Sequence, residues 1–263
     1  MMYSLVFDYN LNTVTDSGRH WAKEVYKDRD YIFSYTAASI ATVLHHNPKR
    51  LYRVYTDDCG LILDKLKAYD VSLDFLDVFD LTAEIREWQK HPYSFWPLVK
   101  IVEMNHDGKH YSLKLDNDLT CLKPIDDLVQ HKGAIAWKYE RKCSGGREYW
   151  GERKAARLGL GTEDFSIYNM GVLGLSSEHH EHASEIVGYC EKLISVDISD
   201  VSYFPDAPGK KATVWNASEQ TAVNYFFHTR KIPILEAHPW FHHWCYEKSK
   251  DGVLKAAEYL LKK

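Results

Sequence analysis

HYSLKLDNDLTCLKPIDDL, residues 110–128, contains the corner on which the reading of this chain turns. Residues 111–115 are a run of β-formers that ends abruptly in Asp116-Asn117-Asp118. Aspartate and asparagine are ordinary turn residues, so the triplet alone reads equally well as a bend. Its position argues for more. A strand that follows a helix in a parallel sheet ends at the edge where open α/β sheets take their ligands. Two carboxylates one residue apart at such an edge repel each other unless a cation or hydrogen-bond donors offset them. Oxygen ligation of that kind suits Mg²⁺ or Mn²⁺ bridging to substrate phosphates.

The flanking pattern supplies the sheet. Residues 3–8 read as a strand and 9–30 as a polar connection. Helix-spaced apolar positions over 33–46 stop at Asn47-Pro48. A strand over 51–60, a short helix over 61–70 and a strand over 71–80 follow, then a helix over 94–105 and the strand 110–116. The order β-α-β-α-β predicts an α/β fold with a mixed, mostly parallel central sheet flanked by helices. Further on, strands are expected over 133–140 and 166–176, an amphipathic helix over 178–195, and a helix over 216–229. A short strand over 231–240 and a closing helix over DGVLKAAEYLLKK complete the chain. The Gly-rich, basic segment 141–165 has no apolar period and reads as a loop able to serve as a lid. No repeat or linker interrupts the 263 residues, which predicts a single domain over 1–263.

Bulk properties narrow the function. A formal charge of −4 argues against a nucleic-acid partner, which would require a basic face. Aromatics make up 14 % of the chain, a content suited to stacking on flat ligands but equally to core packing. Five cysteines without a CxxC pair predict a reducing, cytoplasmic setting rather than a disulfide framework or a zinc finger. The start, MMYSLVFDYNLNT, lacks the basic region of a signal peptide and reads as a first strand. No apolar run approaches the ~20 residues of a membrane span.

Several polar residues stand out against their surroundings. His238 ends the late strand, and an imidazole beside two carboxylates would favour Mn²⁺; His242 and His243 lie close enough to compete for that role. EQTAVN places Gln220 and Asn224 at i and i+4 on one helical face, next to Glu219. Asn169 interrupts the apolar strand SIYNMGVLGL. The run EHHEHASE is not H-E-x-x-H, and its side chains fan around a helix start rather than converge. No G-x-S-x-G, P-loop or G-x-G-x-x-G motif is present.

Taken in order, these features resemble the GT-A glycosyltransferases with a DxD motif, most closely the retaining family 8 of galactosyl-, glucosyl- and glycogenin-type enzymes. The residues that carry the resemblance are Lys100 in WPLVKIVEMN, the triplet in SLKLDNDLTCLKPIDDL, YNMGV at 168–172, EQTAVN at 219–224, and His238. The resemblance implies a GT-A domain with a nucleotide-binding half (1–118) and an acceptor and sugar half (119–263). It implies a Mn²⁺ (or Mg²⁺) ion held by Asp116, Asp118 and His238. It also implies a donor, UDP-sugar favoured and GDP-sugar possible, contacted by Phe7, Asp8, Tyr9, Lys100, Asp116, Asn117, Asn169 and Asn224. Gln220 would lie at the reactive face with Glu219 beside it, and the acceptor would be a glycan or glycoprotein. A neutral amide there fits retention of configuration, whereas Glu219 acting as a base would give inversion. The segment HPWFHHWCYEK departs from the family's H-x-x-G-x-x-K-P-W, which leaves the diphosphate contact open. A sugar-nucleotide nucleotidyltransferase and a non-catalytic carbohydrate-binding α/β domain are the alternatives.

Overall fold

A computed structural model describes residues 2–6, 28–83, 111–143, 165–182, 184–189, 218–245 and 249–262. Strand β1 (Met2–Val6) leads by way of helix α1 (Arg29–His46) to β2 (Tyr52–Thr56), and helix α2 (Cys59–Leu66) leads to β3 (Leu76–Asp80). Helix α1 begins a turn earlier than the apolar period implies, because the side chain of Asp28 accepts the Tyr31 N–H at 3.2 Å and caps it. Strand β2 stops short of residue 60 because Asp58 caps α2, accepting the Leu61 N–H at 2.8 Å.

Strand β4 (Ser112–Leu115) is followed at once by β5 (Leu119–Cys121). Then come β6 (Ala134–Cys143), β7 (Phe165–Leu175), helix α3 (Ser218–Thr229), β8 (Ile234–Glu236), β9 (Phe241–His243) and helix α4 (Asp251–Leu261). Seven strands form one sheet in the order β3-β2-β1-β4-β7-β6-β8, and only β7 runs against its neighbours. The mixed, mostly parallel sheet is the one expected. Strand order reverses between β1 and β4, which opens a crevice at the carboxyl ends of those strands. Asp116 is the first residue beyond that end of β4.

Alternation along the strands separates two apolar cores. Ile135 and Trp137 belong to the core that includes α1, α2 and α4, while Ala134 and Ala136 belong to the one that includes Val223, Phe226 and Phe227 of α3. Helix α1 is buried along most of its length and steadies β5 from behind. Thr42 Oγ1 accepts the Cys121 N–H at 2.9 Å, and Asn47 Oδ1 accepts the Ile125 N–H at 3.1 Å. No helix among the described residues is long and apolar enough to cross a membrane.

Two further sequence expectations change. The helix foreseen over 178–195 opens instead with a 3₁₀ segment, Ser177–His182, non-helical at His179, and the α conformation is described only at 184–189. The His179 N–H closes a tight turn on the Ser176 carbonyl (3.0 Å), and His182 packs its ring on Phe226, a structural use of the histidine run. The strand foreseen over 231–240 is only Ile234–Glu236, because residues 238–240 turn around Pro239 with the Trp240 N–H bonded to the Ala237 carbonyl. That turn sends the chain back as β9, which pairs antiparallel with β5, His243 opposite Leu119.

Helix α3 closes with a Schellman motif, the Ile232 N–H bonding the Phe227 carbonyl at 2.9 Å and the Lys231 N–H the His228 carbonyl at 3.1 Å. Lys231 occupies the left-handed position at φ 54°, where glycine is the usual residue. Lys231→Gly is therefore expected to stabilise the fold by about 1 kcal/mol, a rise of roughly 2–3 °C in Tm. A calorimetric scan in which the variant melts below the parent would contradict this.

Candidate active site

The site is assembled where β4, β7 and β9 meet. Strand β7 loses register against β6: Ala136 pairs with Leu173 but Lys138 with Asn169, so two extra β7 residues are accommodated in a bulge. The bulge turns two carbonyls toward the triplet. The Gly171 carbonyl accepts the Asp116 N–H at 2.8 Å, and the Met170 carbonyl accepts from Lys114 Nζ at 3.2 Å. From the other side, the Trp244 N–H bonds the Asp118 carbonyl at 3.0 Å. The aspartates are thus fixed by the main chain of two separate segments.

His243 stands between their carboxylates. Its Nε2 lies 2.9 Å from Asp118 Oδ1 and 3.4 Å from Asp116 Oδ2. Its Nδ1 is 3.2 Å from Asn169 Oδ1, and its ring meets Trp137 edge to face at 5.0 Å. The Trp137 indole N–H in turn bonds the Phe241 carbonyl at 3.1 Å, which secures β9. Gly171 has no side chain for a local reason: a Cβ there would overlap the His243 ring.

Two buried lysines complete the cluster. Lys114 Nζ is ion-paired with Asp116, and Lys250 Nζ lies 2.8 Å from Asp118 Oδ2 while also donating to the Trp244 carbonyl. Burial works against the charge on Asp118, but His243 and Lys250 outweigh it and hold the carboxyl below the usual carboxylate range. Burial likewise opposes the charge on Asp116, which is nonetheless lowered by Lys114 and His243. For His243 burial favours the neutral ring, yet the adjacent Asp118 charge and the hydrogen bonds to both aspartates raise it well above the ordinary imidazole value.

A third layer connects this cluster to α3. Glu140 accepts from Asn169 Nδ2 and from Gln220 Nε2, each at 2.9 Å. Asn224 clamps α3 to β7, its amide meeting both the N–H and the carbonyl of Tyr168 at 2.9 Å and the Gln220 carbonyl at 2.7 Å. Asn117 Nδ2 is buried with no hydrogen-bond partner among the described residues.

A divalent ion suits this donor set. Ligand atoms of Asp116, Asp118 and His243 all lie within 4.8 Å of one another. Two carboxylates and one imidazole are a mixed oxygen and nitrogen set of the kind Mn²⁺ accepts. The outer nitrogen of His243 is anchored on an amide oxygen, the arrangement that orients metal-binding imidazoles.

Comparisons with known proteins follow from this geometry. No family model and no curated protein matches the sequence. Among the solved structures that align with this chain are three of glycosyltransferases. The apo structure of the bifunctional glycosyltransferase WbbM aligns at a TM-score of 0.49 and 9 % identity, over 89 % of this chain and 38 % of that one. The galactosyltransferase LgtC with donor and acceptor sugar analogues aligns at 0.46 and 14 % identity, over 86 % of this chain and 70 % of that one. An active-site variant of LgtC aligns at 0.47 and 13 %, over 86 % and 69 %. The chain therefore spans well under half of WbbM and about two thirds of LgtC. At such scores the functional reading rests on the side chains of this chain itself.

Of the residues singled out from the sequence, the structure gathers Asp116, Asn117, Asp118, Asn169 and Gln220. It does not bring in His238. That side chain is half exposed, at the turn around Pro239, with Nδ1 3.6 Å from Glu236, and His243 takes the place beside the aspartates. The pairing of β9 with β5 makes that choice. Asn224, expected at a donor, is 1 % exposed and its amide is engaged by backbone. Phe7, Asp8, Tyr9, Lys100, the Glu219 side chain and the segment 144–164 lie outside the described residues. Sequence reasoning missed Lys114, Glu140 and Lys250. A lysine between Leu113 and Leu115 in a buried strand was itself a signal, since a buried ammonium requires an anionic partner.

Proposed function

We propose that this chain is a metal-dependent glycosyltransferase that moves a sugar from a nucleotide-diphosphate donor, UDP-sugar favoured, to a hydroxyl of a glycan or glycoprotein. The observation that carries the reading is the Asp116–Asp118–His243 cluster at the carboxyl end of β4, linked through Asn169 and Glu140 to Gln220. Asp116, Asp118 and His243 would hold Mn²⁺ or Mg²⁺, which when bound supplies Lewis-acid stabilisation of the departing diphosphate. Lys250, paired with Asp118, would supply an ammonium group toward that charge, and the Lys114 ammonium beside Asp116 favours its ionised form. Asn117 Nδ2 would donate to the donor. Phe7, Asp8 and Tyr9, just beyond β1, are proposed to hold the base and Lys100 to assist at the diphosphate. Of the segment expected as a loop, 141–143 continue β6 and 165 begins β7, and 144–164 are proposed to cover the donor and exclude water.

Gln220 and Asn169 are proposed to face the sugar, with Glu219 beside them. The hydrogen bond from Gln220 Nε2 to Glu140 turns the carbonyl oxygen of that amide away from Glu140, and this oxygen is proposed to face the sugar. A carbonyl oxygen can stabilise positive charge developing at the anomeric carbon but is too weak a base to deprotonate an acceptor, which favours retention. Incubation with UDP- and GDP-sugars and Mn²⁺ is expected to release free nucleotide slowly, with EDTA stopping the release. No release from any donor would refute the reading.

The cluster also sets a pH signature. In EDTA, the raised His243 contributes stability that is fully present below the ordinary imidazole range (about pH 6.5) and is lost as pH rises above it. The lowered aspartates contribute stability that is present above about pH 4 and is lost as pH falls further. A metal requires His243 without the proton on Nε2, so the gain in Tm from Mn²⁺ with UDP, relative to EDTA with UDP, is expected to grow between about pH 6 and 8. A gain that shrinks with pH would argue against His243 as a ligand.

A further inference from the structure

Glu140 lies on β6 beside the bulge, 29 residues from Asn169 and 80 from Gln220 in sequence, yet it receives a hydrogen bond from each. A carboxylate offers only acceptors, so both amides must turn their NH₂ groups toward it and their carbonyl oxygens away. For Asn169 the same orientation is required independently, because its Oδ1 accepts the Gly171 N–H at 2.8 Å. That oxygen is also the atom 3.2 Å from His243 Nδ1. Facing an acceptor, Nδ1 must carry a hydrogen, and Nε2 is then the nitrogen presented to Asp116 and Asp118. The chain of orientation runs from Glu140 through Asn169 to His243 on one branch, and from Glu140 to Gln220 on the other.

We infer that Glu140 is a positioning residue that supports both branches, steadying, together with the Gly171 N–H, the Asn169 amide that orients His243, and orienting the amide of Gln220 directly. The inference deepens the glycosyltransferase reading and rests on it. One carboxylate thereby couples the leaving-group end of the site to the sugar end, and the two branches can be separated by substitution.

In Glu140→Gln the new side chain has one acceptor end and one donor end. Asn169 cannot turn over without losing Gly171, so the acceptor end stays with Asn169 and the donor end meets Gln220, whose amide must flip. The expected result is a fall in kcat for donor hydrolysis of ~10-fold or more, with little change in donor KM. Mn²⁺ affinity in the presence of UDP, followed by electron paramagnetic resonance, stays within ~3-fold of the parent. Glu140→Ala removes both supports and is expected to weaken Mn²⁺ by ~10–100-fold as well. In the metal-free protein, ¹H–¹⁵N spectra should show a hydrogen-bonded His243 Nδ1–H in the parent and in Glu140→Gln, its faster exchange with solvent in Glu140→Ala, where Gly171 alone holds the Asn169 amide, and its loss in Asn169→Ala.

A merely structural role would lower the folded fraction of both Glu140 variants alike and leave kcat and Mn²⁺ affinity per folded molecule at the parent values. That result overturns the inference, as does an Nδ1–H signal indifferent to Glu140. A parent protein that neither binds Mn²⁺ with UDP nor releases nucleotide instead overturns the function proposed above, whatever the spectra show.

Discussion

Asp118→Ala is expected to reduce Mn²⁺-dependent nucleotide release by about 10³-fold or more, the scale on which loss of leaving-group stabilisation is felt. Asp118 is the residue through which the cluster is joined. One of its oxygens faces His243 Nε2 at 2.9 Å, the other faces Lys250 at 2.8 Å, and its backbone carbonyl bonds the Trp244 N–H. Alanine keeps the backbone bond and removes the anion from both cations. Lys250, 2 % exposed, is left as a buried ammonium with the Trp244 carbonyl as its remaining partner among the described residues, and breaking a buried pair in this way costs about 3–5 kcal/mol. Loss of activity through unfolding is separated by two further variants. Asp118→Asn retains shape and a polar partner, and Asp118→Ala with Lys250→Met removes both charges together. The double variant is expected to recover most of the lost Tm and none of the activity. Mn²⁺-dependent release that survives in Asp118→Ala would mean the ion is held elsewhere.

Gly171→Ala is the second large effect. The added Cβ would enter the space of the His243 ring, which is hemmed in by Trp137 and both aspartates and cannot retreat without breaking its bond to Asn169. Overpacking of a rigid site costs about 1–3 kcal/mol, and the upper end applies here because the obstacle is a ring held on several sides. Displacement of the ring is expected to weaken Mn²⁺ together with UDP by ~100-fold, the upper end of what disturbed ligand support causes. A double-mutant cycle with His243→Ala gives a sharper test. Removing the ring abolishes the clash, so the two changes should be non-additive, with the glycine substitution nearly silent in the His243→Ala background. Additive losses in Tm would show that Gly171 is required for the bulge itself.

Much of the sheet was legible because local pattern and global fold agree in it. The alternating β and helical periods of the first 80 residues predict the parallel unit, and the lone reversal at β7 leaves no local trace, since a strand's pattern is indifferent to its direction. The aspartates were legible for a similar reason: residue type and strand-end position coincide at Asp116 and Asp118. The histidine was not. HPWFHHW offers three, and the choice among them depends on the turn at Pro239 and on β9 pairing with β5, a contact between segments more than a hundred residues apart in sequence. Glu140 was illegible for the same reason, since nothing near it in sequence announces that Asn169 and Gln220 will converge on it. Asn224 was found by its spacing but misread. The i, i+4 relation to Gln220 is real, and it is used to fasten a helix to a strand.

The two buried lysines have a consequence for the order of events. With Lys114 on one aspartate and Lys250 on the other, the cluster is already close to electrically balanced before any ligand arrives. A divalent ion entering alone would leave that balance two charges in excess, in a region shielded from water. A nucleotide diphosphate entering with the ion brings the compensating negative charge. Each ligand would therefore raise the affinity for the other by the same factor, as linkage requires. On the function proposed, the site would capture the metal–nucleotide pair as a unit, and free Mn²⁺ on its own would compete poorly for its aspartates.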